Sequence, residues 1–380
     1  MSLWNGRRVI CCAGTGGVGK TTVSAAIGMA AASCGRKTLV MTIDPARRLA
    51  NALGLEDFGN VEHVLSEAQV AEYGVRLQAP LSVMMPDVKR TFDELVERTA
   101  PSEKQRQTIF NNRIYQNFST ILAGSLEYAS VEKLYEVYAS GRYDLIVLDT
   151  PPSQNATNFL EAPGKILNFM DSDAMRWVLR SYAAAGRSRF FDWGTNFLMR
   201  TLGKLAGGET LRELAEFLLT FQGMYDGFRA RARAVTELLR SEELSFVLVT
   251  ATNAHQIEGM LRFRREMRGN GLPVRRVLVN RVRKPLSLPP SDAPELAGLN
   301  AALAELEPEH RETAWQMARE EATLAENDAR AVERIRERVT PIGVRALPEL
   351  RLDVHDLQSL AELHRCFLDD AQETRENSVG

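Results

Sequence analysis

"GTGGVGKTT" (residues 14–22) is the stretch on which the reading of the whole chain turns. Gly14, four residues, Gly19, Lys20 and Thr21 fit the pattern G-x-x-x-x-G-K-[ST]. Glycines at 14, 16, 17 and 19 let successive backbone N–H groups converge on an anion without Cβ clashes. The context is right. "RRVICCAG" (7–14) is an apolar run ending in glycine, which predicts a buried strand. "GKTTVSAAIGMAAASCG" (19–35) predicts a helix that stops at Gly35. A helix opening after such a loop aims its positive end at the same anion. Lys20 is then placed to reach the β- and γ-phosphates of a nucleotide, and the Thr21 hydroxyl to bind Mg²⁺. The expected nucleotide-binding set is Gly14, Thr15, Gly16, Gly17, Val18, Gly19, Lys20, Thr21 and Thr22. A purely structural glycine-rich turn is the blander alternative, and it leaves the Lys-Thr pair unexplained.

Working outward, "KTLVMTID" (37–44), "YDLIVLDT" (143–150), "LSFVLVTAT" (244–252) and "VRRVLVNRV" (274–282) are further apolar runs. Runs without polar alternation suit strands covered on both faces. "TPIGVRAL" (340–347) reads as one more strand or as a loop near the nucleotide. Strand, helix, strand, helix predicts an α/β fold: a phosphate-loop NTPase core with a mostly parallel sheet flanked by helices. Between the strands lie two long helical blocks. The expected organisation is one ATPase domain over 1–380, with a nucleotide-binding core at about 1–80, 141–158 and 241–353. A helical subdomain is inserted at about 81–140 and 156–240, and a C-terminal helix and polar tail fill 354–380. The strongest helical stripe covers 211–239. The Met- and aromatic-rich stretch 166–228 is either subdomain core or an adaptable groove for a hydrophobic partner. The charged stretch 305–338 predicts a solvated outer helix.

Two aspartates end predicted strands. Asp149, closing "DLIVLD", is placed to hold Mg²⁺ through water, or to cap the next turn. Asp44, before Pro45, is a natural helix N-cap and is also placed to orient or deprotonate an attacking water. Lys20 and Asp44 are therefore the catalytic candidates. Thr21 and Asp149 are the Mg²⁺ candidates.

Composition narrows the partners. The chain has 380 residues, 44% of them hydrophobic, and a net charge of −2, which does not suit a nucleic-acid-binding body. The arginine clusters at 229, 231, 233 and at 262, 264, 265 read as solvated helix faces. The four cysteines, Cys11, Cys12, Cys34 and Cys366, form no C-x-x-C pair, so no zinc is expected. Cys11 and Cys12 read as packing residues in the first strand. No apolar run reaches the length of a membrane span. The expectation is a cytoplasmic protein that meets a membrane only through a partner.

Together these residues resemble the family of arsenite-pump ATPases and Get-pathway ATPases for tail-anchored proteins. That family sits in the deviant-Walker group with MinD and ParA. Its loop reads GKGGVGKTT, where this chain has GTGGVGKTT. "DPARRL" from Asp44 is similar to its first switch, and "DTPPSQNATN" from Asp149 to its second. "VLVNRV" puts Asn280 where the family contacts adenine, and "VTPIGVRALPEL" is similar to its adenine-side loop, near Pro341 and Leu347. The resemblance implies an ATP-driven dimer with nucleotides at the interface and helical subdomains that open and close over cargo. It also implies a loop lysine that reaches the partner's nucleotide. Thr15 replaces that lysine. Arg47 and Asn155 replace the switch histidines, and the dimer-zinc and arsenite cysteines have no counterpart, which disfavours arsenite export and a zinc-clamped dimer. The partner expected is a second copy, or a paralogue that carries the lysine. A membrane protein or hydrophobic client remains open. Against this cargo-coupled ATPase stand two alternatives: a MinD- or ParA-like positioning ATPase, and a nucleotide-binding regulator with weak hydrolysis. The first wants a membrane-binding C-terminal helix, and "DLQSLAELHRCFLDD" is only weakly amphipathic and ends in acids.

Overall fold

The computed structural model describes residues 3–43, 61–113, 115–116, 125–150, 161–164, 168, 171–173, 224–285, 307–350 and 357–368. Among these, eight strands form one sheet in the order β3-β4-β2-β5-β1-β6-β7-β8. They are β1 (Val9–Gly14), β2 (Thr38–Thr42), β3 (His63–Leu65), β4 (Leu81–Met84), β5 (Leu145–Asp149), β6 (Leu244–Thr250), β7 (Val274–Val282) and β8 (Gly343–Pro348). Every pairing is parallel except the antiparallel edge pair β3–β4.

Strands β1, β2, β4, β5 and β6 are buried along their whole length. Their alternate residues feed two cores. Val9, Cys11, Leu39, Met41, Ile146, Leu148, Phe246 and Leu248 face one side. Ile10, Cys12, Val40, Val83, Leu145, Val147, Val247 and Val249 face the other. A sheet covered on both faces explains why its strands read as unbroken apolar runs. The second face is covered by α1 (Lys20–Ser33), which lies close enough that a Cβ on Gly28 would sit 2.2 Å from Val40.

The first face carries α3 (Val88–Thr99), α5 (Ser125–Ala139), α6 (Tyr225–Arg240), α7 (Ala254–Gly269) and part of α8 (Pro308–Val339). The short helix α4 (Glu103–Phe110) adds Ile109 to that face, whereas α2 (Glu67–Ala71) places Val70 in the core on the α1 side. Strand β4 begins at Leu81, where the sequence predicts the helical subdomain to start, so the sheet runs a few residues past that boundary. Strands β3 and β4 are too short, at three and four residues, to stand out as apolar runs.

Three surface expectations change. Arg231 is not a solvated charge: it pairs with the buried Glu132 at 2.6 Å and lies over the Tyr135 ring at 4.4 Å. Arg264 donates to the carbonyls of Arg338 and Val339, capping the end of α8. Helix α8 itself is solvated along most of its surface but seats Ala331, Val332, Ile335 and Val339 in the core. Of the stripe predicted over 211–239, residues 211–223 lie outside the described residues. Phe228, Ala232, Val235 and Leu239 are buried as that stripe requires. Most of the 166–228 stretch also lies outside them; of its described Met and aromatic members, Met224 and Phe228 are core residues and Tyr225 is half-buried against that core.

The C-terminal segment folds as α9 (Leu357–His364) and a 3₁₀ turn, Arg365–Phe367. Leu360, Leu363 and Phe367 are buried in the core shared with α1, so the apolar side of this helix is already covered. No helix among the described residues is long and apolar enough to cross a membrane.

The Glu132–Arg231 pair joins α5 to α6 and yields a stability prediction. Burial raises the Glu132 carboxyl above its ordinary range, and Arg231 pulls it back down. Arg231→Leu strands that carboxylate, and breaking a buried pair on one side costs about 3–5 kcal/mol. Because Arg231 keeps some exposure, about 2–3 kcal/mol is expected in urea unfolding at pH 7. A raised carboxyl contributes its full stability below the ordinary carboxyl range and loses it as pH rises through the raised value. The deficit should therefore shrink as pH falls toward 5. A constant deficit across pH would refute the assignment.

Candidate nucleotide site

The phosphate loop leaves β1 at Gly14 and enters α1 at Lys20. Gly14 has no alternative: a Cβ there would lie 2.1 Å from the Val249 carbonyl oxygen of β6. Gly19 adopts φ 86° as the N-cap of α1, and no side chain caps that helix. No acidic residue sits in its first turn either. The uncovered N–H groups and the helix dipole favour an anion there.

Four side chains meet at the carboxyl ends of β1, β2 and β5. Lys20 is buried and its ammonium donates to the Thr15 carbonyl at 3.0 Å. Asp149 is buried, and its Oδ2 accepts from the Thr21 hydroxyl at 2.6 Å and from the Thr42 hydroxyl at 2.9 Å. The register places Asp149 beside both Cys12 and Thr42, so the sheet itself sets this meeting point. A hydroxyl and a carboxylate are hard oxygen donors, which suits Mg²⁺ with several waters retained. The residues present therefore fit the ion. Thr42 is a member of the site that sequence reasoning missed. The available signal was a hydroxyl residue at a strand end, two positions before Asp44.

Cys12 lies under the loop and is inert. Burial pushes its thiol up to about 12. Thr22 is half-buried in the first turn of α1, and Val18 is buried beneath the loop, while Gly16 and Gly17 are exposed at its tip.

Thr15 is half-buried and turned toward its own chain. Its methyl group lies 2.7 Å from where a Cβ on Gly259 of α7 would stand, so only glycine at 259 leaves it room. Its hydroxyl is buried with no hydrogen-bond partner among the described residues.

Asn280 is brought to the loop: its side-chain Nδ2 donates to the Val18 carbonyl at 2.9 Å. The structure places the two adenine-side candidates as follows. β8 runs parallel to β7 with Gly343 opposite Arg276, so Pro341 lies beyond the amino end of the sheet, away from the loop. Leu347 is fully buried, and its side chain belongs to the core shared with α1. Pro348, paired with Val282, and Glu349, whose N–H donates to the Val282 carbonyl, stand at the carboxyl end instead. Asp44, Arg47, Arg48 and Asn155 lie outside the described residues.

Comparison with known proteins identifies relatives of this chain. An Aquifex aeolicus relative whose name describes an arsenical pump-driving ATPase is 28% identical over 173 residues, 46% of this chain and 40% of that one. The ATPase ARSA1 of Chlamydomonas reinhardtii is 25% identical over 300 residues, 73% of this chain and 35% of that one. The ATPase get3 of Neurospora crassa is 24% identical over 278 residues, 72% of this chain and 73% of that one. The chain thus spans well under half the length of the first two of these relatives. A family model described as anion-transporting ATPase matches residues 7–286, from the strand before the phosphate loop to beyond Asn280. With that match covering most of the chain, this chain belongs to the anion-transporting ATPase family.

Proposed function

We propose that this chain binds Mg²⁺·ATP at the loop of residues 14–22 and hydrolyses it, and that its nucleotide state is coupled to the helices inserted in the fold. The observation that carries this reading is the meeting of Lys20, Thr21, Thr42 and Asp149 at one end of the sheet. Lys20 exchanges its bond to the Thr15 carbonyl for phosphate oxygens. Thr21 and Asp149 would hold Mg²⁺, which would supply positive charge to neutralise the β- and γ-phosphates. Asp44 orients a water whose oxygen attacks the γ-phosphorus. The bond from that phosphorus to its bridging oxygen breaks, ADP leaves, and the water's proton passes to Asp44 and then to solvent.

The helices α3, α5 and α6 pack on the sheet face that includes Cys11, Met41 and Leu148, directly behind the site. That contact supports a coupling between nucleotide state and the helical part. By the reciprocity of linkage, a client that prefers one nucleotide state shifts nucleotide affinity equally. The names of the relatives point to an arsenical pump and to the Get type. The cysteines argue against a metalloid cargo here, because Cys11 and Cys12 are buried in β1 and Cys34 and Cys366 lie against the α1 core. A hydrophobic client or a membrane partner is the reading we favour, in a dimer with a second copy or with a lysine-bearing paralogue.

Thr15 favours a second reading, in which the chain alone turns over slowly. A cation supplied across an interface to the transferred phosphoryl group is worth about 10³–10⁵ in rate in other phosphate-loop enzymes. The Thr15 side chain is neutral and is held against Gly259. Thr15→Lys is therefore expected to raise phosphate release by the isolated chain at least about tenfold, a small part of such effects. Measured turnover that is unchanged by Thr15→Lys, and unchanged on losing Arg47 and Arg48, removes the missing-cation argument.

A further inference from the structure

Asn280 does more here than stand near a base. Pairing of β7 with β6 ends at Val279, and its pairing with β8 skips from Val279 to Val282. Asn280 and Arg281 therefore form an irregular step at the carboxyl end of the strand. Arg281 sits at φ 58°, in the left-handed region that a long side chain seldom occupies. Such steps re-aim a side chain, and they gather next to active sites. The side chain aimed here belongs to Asn280. It is buried, and its Nδ2 donates to the Val18 carbonyl at 2.9 Å. The same nitrogen would be 2.4 Å from a Cβ on Gly19. Asn280 thus fills the space that glycine leaves at the last residue before α1, and it fixes the carbonyl of the Val18–Gly19 peptide. The peptide N–H opposite that carbonyl belongs to Gly19, in the part of the loop that faces the anion.

We propose that Asn280 is a positioning residue for the phosphate cradle: it holds the Val18–Gly19 peptide so that the loop's N–H groups are set for phosphate before any base arrives. This rests on the reading of residues 14–22 as a nucleotide site. It adds that Asn280 governs binding of phosphate with no base attached. One amide hydrogen is committed to Val18, so the Oδ1 acceptor and the second N–H remain to meet an adenine edge. Base recognition and cradle geometry are then joined through a single side chain.

The test compares a base-free probe with a nucleotide. Wild type, Asn280→Asp and Asn280→Ala are titrated by calorimetry with Mg²⁺-tripolyphosphate and, separately, with Mg²⁺-ADP. In Asn280→Asp a carboxylate oxygen faces the Val18 carbonyl oxygen, replacing attraction by repulsion. Tripolyphosphate binding should weaken about tenfold or more, on the scale of a lost hydrogen bond with a buried acceptor left opposed. Asn280→Ala should lose less. The thermal midpoints of the ligand-free proteins show whether the fold is intact. If Asn280→Asp and Asn280→Ala bind tripolyphosphate like wild type and lose only ADP affinity, Asn280 reads the base alone and the proposal fails. A wild type that binds neither probe sinks the nucleotide reading itself, and the proposal with it.

Discussion

Lys20→Ala weakens binding of Mg²⁺·ATP by at least about a hundredfold. The ammonium of Lys20 is buried beneath the loop and within 3.0 Å of the Thr15 carbonyl, so it is already inside the space where phosphate would lie. Each hydrogen bond from a charged donor is worth about 1.5–3 kcal/mol, and a lysine that reaches both the β- and γ-phosphates makes two. At about 1.4 kcal/mol per tenfold, that sum exceeds two orders of magnitude in affinity. The cost to the fold is smaller, because Thr15 is half-buried and water can replace the lost donor. Calorimetry with ATP and Mg²⁺ measures the first effect, and thermal unfolding without ligand the second. A Lys20→Ala protein that binds ATP within fivefold of wild type would show that the loop is a structural turn.

Asp44→Asn lowers the rate of ATP hydrolysis by about 10²–10⁴ while leaving ADP affinity near that of wild type. The expectation follows from chemistry and chain order. β2 ends at Thr42, whose hydroxyl touches the Asp149 carboxylate, and Asp44 follows two residues on. An amide of the same shape keeps local packing but cannot accept the water's proton. An effect confined to turnover is the sign of an interaction made in the transition state. Equal rates for the variant and wild type would leave Asp44 as a helix cap and move the search for the base elsewhere.

The parts of this molecule legible from sequence are those whose local chemistry admits one solution. Residues 14–22 needed no tertiary information, because glycines, a lysine and a threonine at that spacing have few other uses. The strands around it were legible because burial on both faces leaves unbroken apolar runs, as at Leu145–Asp149 and Leu244–Thr250. The edge escaped: His63–Leu65 and Leu81–Met84 are short, and Val64 in β3 is exposed. The positions of Pro341 and Leu347 along their strand were not legible, because likeness along a sequence does not say at which end of a strand a residue falls. The parallel register of β7 and β8 does. Arg231 and Arg264 read as solvated charges, since their partners Glu132 and the end of α8 are far away in the chain. Thr42 and the Asn280–Val18 bond escaped for the same reason: the first contact joins two separate strand ends, and the second joins a strand end to the loop.

The account stands or falls on hydrolysis at this loop. The most direct measurement is a single-turnover assay with the wild-type chain in excess over labelled ATP, with Lys20→Ala run in parallel as background. An excess of chain lets even a slow step read out, and it favours whatever dimer the chain forms. The account predicts that wild type releases labelled phosphate well above the Lys20→Ala background, and that removing Mg²⁺ with a chelator abolishes the release. Wild type that binds ATP yet releases no more phosphate than Lys20→Ala, at every chain concentration tried, would contradict it.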